Sequence, residues 1–174
     1  MSATTPSSGT TGIGPVDLSR ADLPGLLVAI VVTNVVGTAP ALVTATGSGS
    51  WYATLERPAL APPNWVFGPV WTTLFVLLGV AAYLVIRDGE GHRRTVALGL
   101  FVGQFVLNVA WTLVFFGGQD IVAGLAVIVA LLAGIVATMV AFYRVRPAAA
   151  ALVVPYLVWV GFATYLNYAF WTLN

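Results

Sequence analysis

The sequence predicts an all-α integral membrane protein, built as a bundle of five transmembrane helices. Apolar residues make up 59% of the 174-residue chain and charged residues only 7%, against about 25% charged in an ordinary soluble domain. The apolar residues also fall into five uncharged runs. The length of each run is close to that of a helix that crosses a bilayer, about 20 residues. Because lipid cannot satisfy backbone polar groups, each run is expected to be a helix.

The five spans are expected to follow a polar N-terminal tail. Residues 1–22 are rich in Ser, Thr, Gly and Pro, a composition typical of disorder. The rest of the chain, residues 23–174, is expected to form one membrane domain. Its predicted spans are, in order, residues 23–46, 65–86, 95–116, 121–143 and 147–173. The links after the second, third and fourth spans are short, so neighbouring helices should run antiparallel, with Asp120 as a helix cap.

Composition excludes several kinds of site. The chain has no cysteine and a single histidine, His92, so no disulfide, thiolate site or histidine cluster can form within it. The net charge is +1 and no long basic run occurs, which argues against a nucleic-acid partner. No acid or base lies inside a predicted span, so ion-coupled transport is not expected. We expect no metal and no resident cofactor.

The arginines indicate how the chain lies in its membrane. The N-terminal tail and the second and fourth links share one side, and they hold six of the seven arginines. Only Arg57, in the loop between the first two spans, lies on the other side. Positive side chains are retained preferentially in the cytoplasm. We therefore expect a cytoplasmic N-terminus, with the first loop outside, in a bacterial cell membrane.

Small residues on the third span form a pattern that favours close helix contacts. Gly99 and Gly103 make a GxxxG motif, which lets two helices approach each other closely. Two interpretations stay open: the motif packs against another helix of the same bundle, or it forms the seam of a homodimer.

The loop between the first two spans has an unusual composition. The stretch WYATLERPALAPPNWVFGPVW, residues 51–71, combines Trp51, Tyr52 and Trp71 with four prolines. Proline fixes its own φ, so this loop should be stiff. Tryptophan and tyrosine also prefer the membrane interface. The stretch is therefore either an interfacial aromatic belt or a rigid aromatic lid over a pocket.

Polar residues inside the spans favour the pocket. Gln104, Asn108 and Trp111 share one face of the third predicted helix. On the fifth predicted helix, Trp159, Ala163 and Asn167 likewise share one face. Amides within a span often bond to a neighbouring helix, and that alternative stays open. A pocket with aromatic walls and a few amides suits a flat, mostly apolar ligand with polar edges.

Three segments together resemble a known family. These are WYATLERPALAPPNWVFGPVW, LNVAWTLVFFG and PYLVWVGFATYLNYAFW, and in this order they closely resemble the tryptophan-rich sensory protein/translocator protein family, formerly called the peripheral benzodiazepine receptor family. The resemblance implies a five-helix bundle, a homodimer and a ligand pocket closed by the first long loop. Members of this family bind porphyrins such as protoporphyrin IX and haem, isoquinoline and benzodiazepine drugs, and in some cases sterols.

The resemblance also implies a function. The chain would bind a tetrapyrrole in the membrane and act as a sensor or regulator of porphyrin levels and stress responses. The alternatives are a light-dependent porphyrin-degrading enzyme and a transporter of porphyrin or another small amphipathic ligand. Carried over by motif, the ligand contacts would be Trp51, Tyr52, Trp71, Gln104, Asn108, Trp111, Trp159 and Ala163. Trp71 and Trp159 are the candidates for photochemistry, since some members degrade protoporphyrin in light.

The chain departs from the family pattern in two places. The family's loop usually reads Pro-x-Trp, where this chain has Pro58, Ala59 and Leu60. The sterol-type pattern near the C-terminus requires an Arg or Lys after its tyrosine, and ATYLNYAFWTLN contains neither. The first departure bears on ligand preference, and the second counts against sterol binding.

Overall fold

The computed structural model of the chain describes residues 19–44 and 49–174. Over these ranges the regular structure is helical, without strands. Five helices are long and apolar enough to cross a membrane, which confirms the predicted all-α, five-span class. The spans are Arg20–Leu42, Asn64–Asp88, Gly91–Gly117, Ile121–Val145 and Pro147–Leu173. Their α-helical parts are α1 (Leu23–Thr38), α3 (Phe67–Asp88), α4 (Gly91–Thr112), α5 (Ile121–Val145) and α6 (Pro147–Leu173), and a short helix, α2 (Trp51–Thr54), lies in the first loop.

The helices begin and end near the predicted boundaries, and the differences have local causes. The first span was predicted to reach residue 46, but α1 ends at Thr38 and continues as a 3-10 turn only to Leu42. Pro40 lacks the N–H that an α-helix would bond to residue 36. Residues 45 and 46 lie outside the described ranges. Asp120 caps α5 as predicted, its Oδ1 accepting from the Ala123 N–H at 2.8 Å.

Helical structure begins nearer the N-terminus than the composition of the polar tail predicts. The tail was predicted to be disordered through residue 22, but Arg20–Asp22 form a 3-10 turn that leads into α1. Both the backbone N–H and the hydroxyl of Ser19 donate to Asp22 Oδ2, at 2.8 and 2.7 Å. This capping arrangement satisfies donors at the helix start. Residues 1–18 lie outside the described ranges.

The predicted third span divides into two kinds of helix. The α-helix α4 starts at Gly91, before the predicted residue 95, and gives way to a π turn at Leu113–Gly117. The Gly118 N–H closes this turn by donating to the Leu113 carbonyl at 2.8 Å. Turns of this kind occur often at functional sites. Phe115 lies within this π turn, and its side chain is buried in the core with 2% of its surface exposed.

Small side chains set the distance between α1 and α3. A Cβ on Gly79 would lie only 2.7 Å from the Cα of Ile30, so only glycine allows this approach. One turn away, the Thr33 hydroxyl donates to the Phe75 carbonyl at 2.9 Å. Close approach together with a buried hydrogen bond is the usual basis of helix pairing in lipid. The crossing point of α1 on α3 is therefore defined at Gly79.

Ion pairs join three parts of the chain at the end of the bundle opposite the first loop. Arg87 lies 3.7 Å from Asp22 and bonds to Asp88 at 2.7 Å, while Arg146 pairs with the same Asp88. Tyr83 donates to Asp22 at 2.6 Å. These contacts tie the start of α1 and the link between α5 and α6 to the end of α3. We call this end the arginine end.

The GxxxG motif of α4 faces away from the bundle. Gly99 and Gly103 are both exposed, and a Cβ built on either would meet no atom of the described chain within 4 Å. The interpretation of the motif as a contact inside one bundle is therefore wrong.

Candidate ligand-binding site

A cavity of about 420 Å³ lies at the loop end of the bundle. It is enclosed by the end of α1, the first loop, α3 and the last turns of α4. Its wall is formed by Gly37, Thr38, Ala41, Thr44, Tyr52, Asn64, Trp65, Phe67, Gly68, Trp71, Thr72, Phe75, Asn108, Trp111, Thr112 and Phe116. The deep part of the wall is buried, and the rim is exposed. The cavity can thus enclose one part of a ligand while another part remains accessible.

Aromatic rings form the deep wall of the cavity. Trp71 stacks on Phe75, with ring centroids 5.4 Å apart and planes inclined by 29°. On its other side Trp71 lies 6.4 Å from Trp111, which in turn stacks on Phe115 at 5.9 Å. Rings stacked on one another in this way form a well-packed aromatic wall. Such a wall suits an apolar ligand that carries a ring system.

Tyr52 belongs to the first loop, and its side chain lines the cavity. The short helix α2 places this side chain, 5% exposed, against Phe116 and Phe170 at ring distances of 5.3 and 5.4 Å. Burial raises the pKa of the Tyr52 hydroxyl above its ordinary value, against the opposing charge of Arg57. The phenol therefore stays neutral at physiological pH and remains able to donate a hydrogen bond.

Arg57 holds the first loop in shape. Its guanidinium donates to the Pro62 carbonyl at 3.0 Å and to Asn64 Oδ1 at 2.9 Å, and it lies 5.8 Å from the ring centre of Tyr52. The loop is also bound to the end of α6. There the Glu56 N–H donates to Asn174 Oδ1 at 2.9 Å, and Asn174 returns a bond to the Glu56 carbonyl. The loop is thus a fixed cover.

A hydrogen-bonded chain orients Trp111. Its indole Nε1–H donates to Asn167 Oδ1 at 3.1 Å, and Asn167 Nδ2 donates to the Ile121 carbonyl at 2.9 Å. Asn167 thereby joins α4, α5 and α6. Of the two interpretations of Asn167, bonding between helices is the one the structure shows. Its effect on the site is indirect, since it holds Trp111, which lines the cavity, in place.

Two amides on α4 have side-chain atoms without a hydrogen-bond partner among the described residues. Asn108, 2% exposed, has no partner for Nδ2, and Gln104 has none for either polar atom. An unsatisfied buried group costs about 1–3 kcal/mol. Asn108 also lines the cavity, so a ligand carbonyl or ring nitrogen could satisfy its donor. The amide is the polar element in an otherwise aromatic deep wall.

The structure brings together four of the eight residues predicted for the site. Tyr52, Trp71, Asn108 and Trp111 line the cavity. The other four lie close by. Ala163 lines a separate crevice of about 20 Å³ beside Tyr52 and Trp111.

The remaining three predicted residues do not reach the cavity. Gln104 is buried about one turn along α4 from Asn108. Trp51 is half-buried and packs edge-on against Phe115 at 5.8 Å. Trp159 packs against Phe67 at 5.9 Å. As ligand contacts, which were carried over by motif, these three residues stay predictions, and none of them is among the residues that line the cavity.

Sequence reasoning missed the part of the wall that α1 supplies. Gly37, Thr38 and Ala41 line the cavity, and a Cβ on Gly37 would lie 2.5 Å from the Phe75 ring. The small residues Gly37 and Ala41 are four apart, which is the one sequence signal that could have indicated a contact face here. Trp65 was also missed, although it belongs to the aromatic loop; it lies at the rim and is 74% exposed.

Comparison with known proteins decides the family. Residues 29–172 match the sequence profile described as the TspO/MBR family. The chain belongs to the TspO/MBR family. It is 44% identical over 126 residues to the Translocator protein of Homo sapiens, a match covering 71% of this chain and 75% of that protein.

Bacterial relatives of this TspO/MBR chain match over a similar length. The identity is 47% over 127 residues to the Tryptophan-rich protein TspO of Chlorobaculum tepidum, covering 72% of this chain and 80% of that protein. It is 39% over 125 residues to the Tryptophan-rich sensory protein of Cereibacter sphaeroides, covering 71% and 77%. The family resemblance drawn from the three sequence segments is therefore confirmed.

Replacing Asn167 should destabilise the bundle. In Asn167→Leu the Trp111 N–H and the Ile121 carbonyl lose their partner in a buried site, so the free energy of unfolding should fall by about 1–3 kcal/mol. Asn34→Leu is the matched control, because the Asn34 side chain bonds to Ile30 of its own helix. Thermal unfolding in detergent measures both. Equal losses in the two variants would contradict the role given to Asn167.

Proposed function

We propose that this membrane protein binds a tetrapyrrole such as protoporphyrin IX or haem and acts as a sensor or regulator of porphyrin levels and stress response. The observation that supports it is the cavity at the loop end, with an aromatic wall and, in its depth, the Asn108 amide, whose Nδ2 lacks a partner among the described residues. One relative is named a sensory protein, which fits sensing, and another is named a Translocator protein, which fits the transport alternative.

The distribution of burial in the cavity fits the chemistry of a porphyrin. The macrocycle is flat and mostly apolar, so it matches the wall formed by Trp71, Phe75 and Trp111. Its two carboxylates lie on one edge, and burying them in an apolar site would be costly. The exposed rim includes Asn64, which is bonded to Arg57. We therefore infer that the carboxylate edge lies at the rim, near the one arginine of the loop.

Replacing Trp71 should weaken porphyrin binding. Trp71→Leu removes the central ring of the aromatic wall, and a loss of about 1.4 kcal/mol would raise the Kd about tenfold. Trp171→Leu is the control, because Trp171 is about half exposed on α6 and does not line the cavity. Protoporphyrin IX is titrated in the dark into detergent-purified protein and followed by its absorbance. An unchanged Kd in Trp71→Leu, or no saturable binding, would contradict the proposal.

A second candidate is light-dependent degradation of the bound porphyrin. The supporting observation is that Trp71 and Trp111 both line the cavity with ring centres 6.4 Å apart. Trp159 was proposed for this role with Trp71, but it packs outside the cavity against Phe67. The pair better placed beside an excited porphyrin, with oxygen as the oxidant, is Trp71 and Trp111.

Illuminating the titrated samples separates the two candidates. Repeated turnover of porphyrin with intact protein, reduced in Trp71→Phe but unchanged in Trp159→Phe, would favour the enzyme. Stable porphyrin, or a single turnover that damages the tryptophans, would leave a binding protein.

The carboxylate edge can be tested by changing the ligand and the protein together. Arg57→Gln should weaken binding of protoporphyrin IX several-fold, because a charge-assisted contact at the rim is lost. Its dimethyl ester, which carries no charge, should bind the variant and the parent protein alike. The ester is the control for damage to the loop, since a distorted Tyr52 would weaken both ligands. A parallel loss for both would show that Arg57 acts only through the loop.

We propose that two copies of the chain pair through α4. The supporting feature is a flat outward stripe in which Gly99 and Gly103 alternate with Val102 and Val106, the valines being 59% and 61% exposed. Gly103→Leu should therefore convert dimers to monomers. Gly161→Leu is the control, because Gly161 on α6 is also open to its surroundings. Light scattering of the detergent-purified protein measures the mass. A dimer that persists in Gly103→Leu would exclude this seam.

We also propose a bacterial cell membrane, with the N-terminus in the cytoplasm. The first loop and the arginine end lie at opposite ends of the bundle, and six of the seven arginines belong to the arginine end or its tail. The chain has no cysteine, so a single cysteine reports location directly. An impermeant maleimide added to intact cells should label Ala53→Cys in the loop and leave Glu90→Cys unlabelled. The reverse pattern would invert the orientation.

A further inference from the structure

A second concave site lies on the outer face of the bundle, at the arginine end. It is a groove of about 370 Å³ between the last turns of α5 and the first turns of α6. The side chains that define it are Met139, Tyr143, Arg144, Pro147, Ala151 and Val154. None of them lines the ligand cavity. The groove is therefore independent of the proposed tetrapyrrole site.

The groove lies along the part of the surface that faces lipid. Both helices that form it are membrane spans, and its sides carry exposed apolar groups, with Val140 and Val154 each 45% exposed. From Pro147 to Val154 the groove follows α6 for about 10 Å, at about 1.5 Å per residue. Its lining includes the small residues Ala150 and Ala151. The length of the groove and its largely apolar lining suit an extended hydrocarbon chain.

The mouth of the groove is positively charged. Arg144 lies in the last turn of α5 and is exposed. The ion pairs among the described residues use Arg87 and Arg146, and none of them involves Arg144.

A long arginine at a helix end often extends to the interface merely to reach water. This tendency explains the exposure of Arg144 but not the apolar groove that Arg144 lines. A positive group directly above a narrow apolar groove matches an amphiphile with a negative head and a hydrocarbon tail. Tyr143, which also lines the groove and is 64% exposed, adds a ring of the kind that prefers the depth of lipid headgroups.

We propose that this groove is a binding site for one anionic phospholipid of the surrounding bilayer. The headgroup phosphate would contact Arg144, which lines the groove. One acyl chain would lie along Met139, Ala151 and Val154. The inference does not depend on the identity of the ligand in the cavity at the loop end.

Native mass spectrometry of the full chain, released from detergent and titrated with lipid, tests the proposal. Phosphatidylglycerol should bind at least about fivefold more tightly than phosphatidylcholine with the same acyl chains, as expected for one basic residue near a charged headgroup. Arg144→Gln should remove that preference. Arg93→Gln is the matched control: it deletes the same charge at the same end of the bundle, but Arg93 does not line the groove. It should keep the preference.

A second variant tests the acyl chain. Ala151→Trp fills the groove from an exposed position on α6 and should lower the affinity for both lipids. Unchanged binding of porphyrin to this variant would show that the fold is intact.

Four results would overturn the assignment. The first is an equal affinity for the two lipids, and the second is an equal effect of Arg93→Gln and Arg144→Gln. The third is lipid binding that is unchanged in Ala151→Trp. The fourth is loss of a dimer in Ala151→Trp. The last would show that a second copy of the chain occupies the groove.

Discussion

The hydrocarbon layer of a membrane offers no partner to a polar group, and this constraint governs the structure. It makes every span a helix, since only a helix satisfies its own backbone. It also makes each polar side chain within a span informative. The Trp111 indole, the Asn167 amide and the Ile121 carbonyl satisfy one another across three helices. Asn108 is left with an unpaired donor, and it is the amide that lines the cavity.

The cavity exists because the helices are interrupted at the loop end. Pro40 ends the α-helical part of α1 early, and a π turn at Leu113–Gly117 follows α4. The first loop then covers the space between them and inserts Tyr52. Arg57 and Asn174 hold that loop through side-chain hydrogen bonds. A rigid cover keeps the aromatic wall in place without a ligand, so little ordering free energy is required when one binds.

The two ends of the bundle offer different chemistry. The loop end combines aromatic rings, amides and a single arginine, which suits a planar ligand with a polar edge. At the arginine end, Asp22 and Asp88 neutralise Arg87 and Arg146, while Arg144 stands above an apolar groove. Membrane thickness separates the two ends, because each lies at an opposite terminus of helices of 22 to 27 residues. A ligand in the cavity and a lipid in the groove can therefore bind without touching.

The helices α4 and α6 show most clearly which site residues the sequence could predict. Helical spacing placed Gln104, Asn108 and Trp111 on one face, and all three are buried. Only Asn108 and Trp111 reach the cavity, because Gln104 lies about a turn deeper, beside Gly134 of α5. Trp159 was carried over from the family motif, and it packs on Phe67 without lining the cavity. Periodicity gives the direction of a side chain around its own helix axis, but not the position of the next helix.

The sequence by itself determined the five spans, the N-cap at Asp120 and the family, because these depend on local hydropathy, local hydrogen bonding and contiguous motifs. Only the tertiary structure decided which side chains share a cavity. The contribution of Gly37 and its neighbours depends on how closely α1 crosses α3 at Gly79, where a single Cβ would hold the helices apart. The outward direction of Gly99 and Gly103 likewise depends on how α4 is rotated in the bundle. Such distances are set by the packing of residues far apart in the chain, which no local pattern encodes.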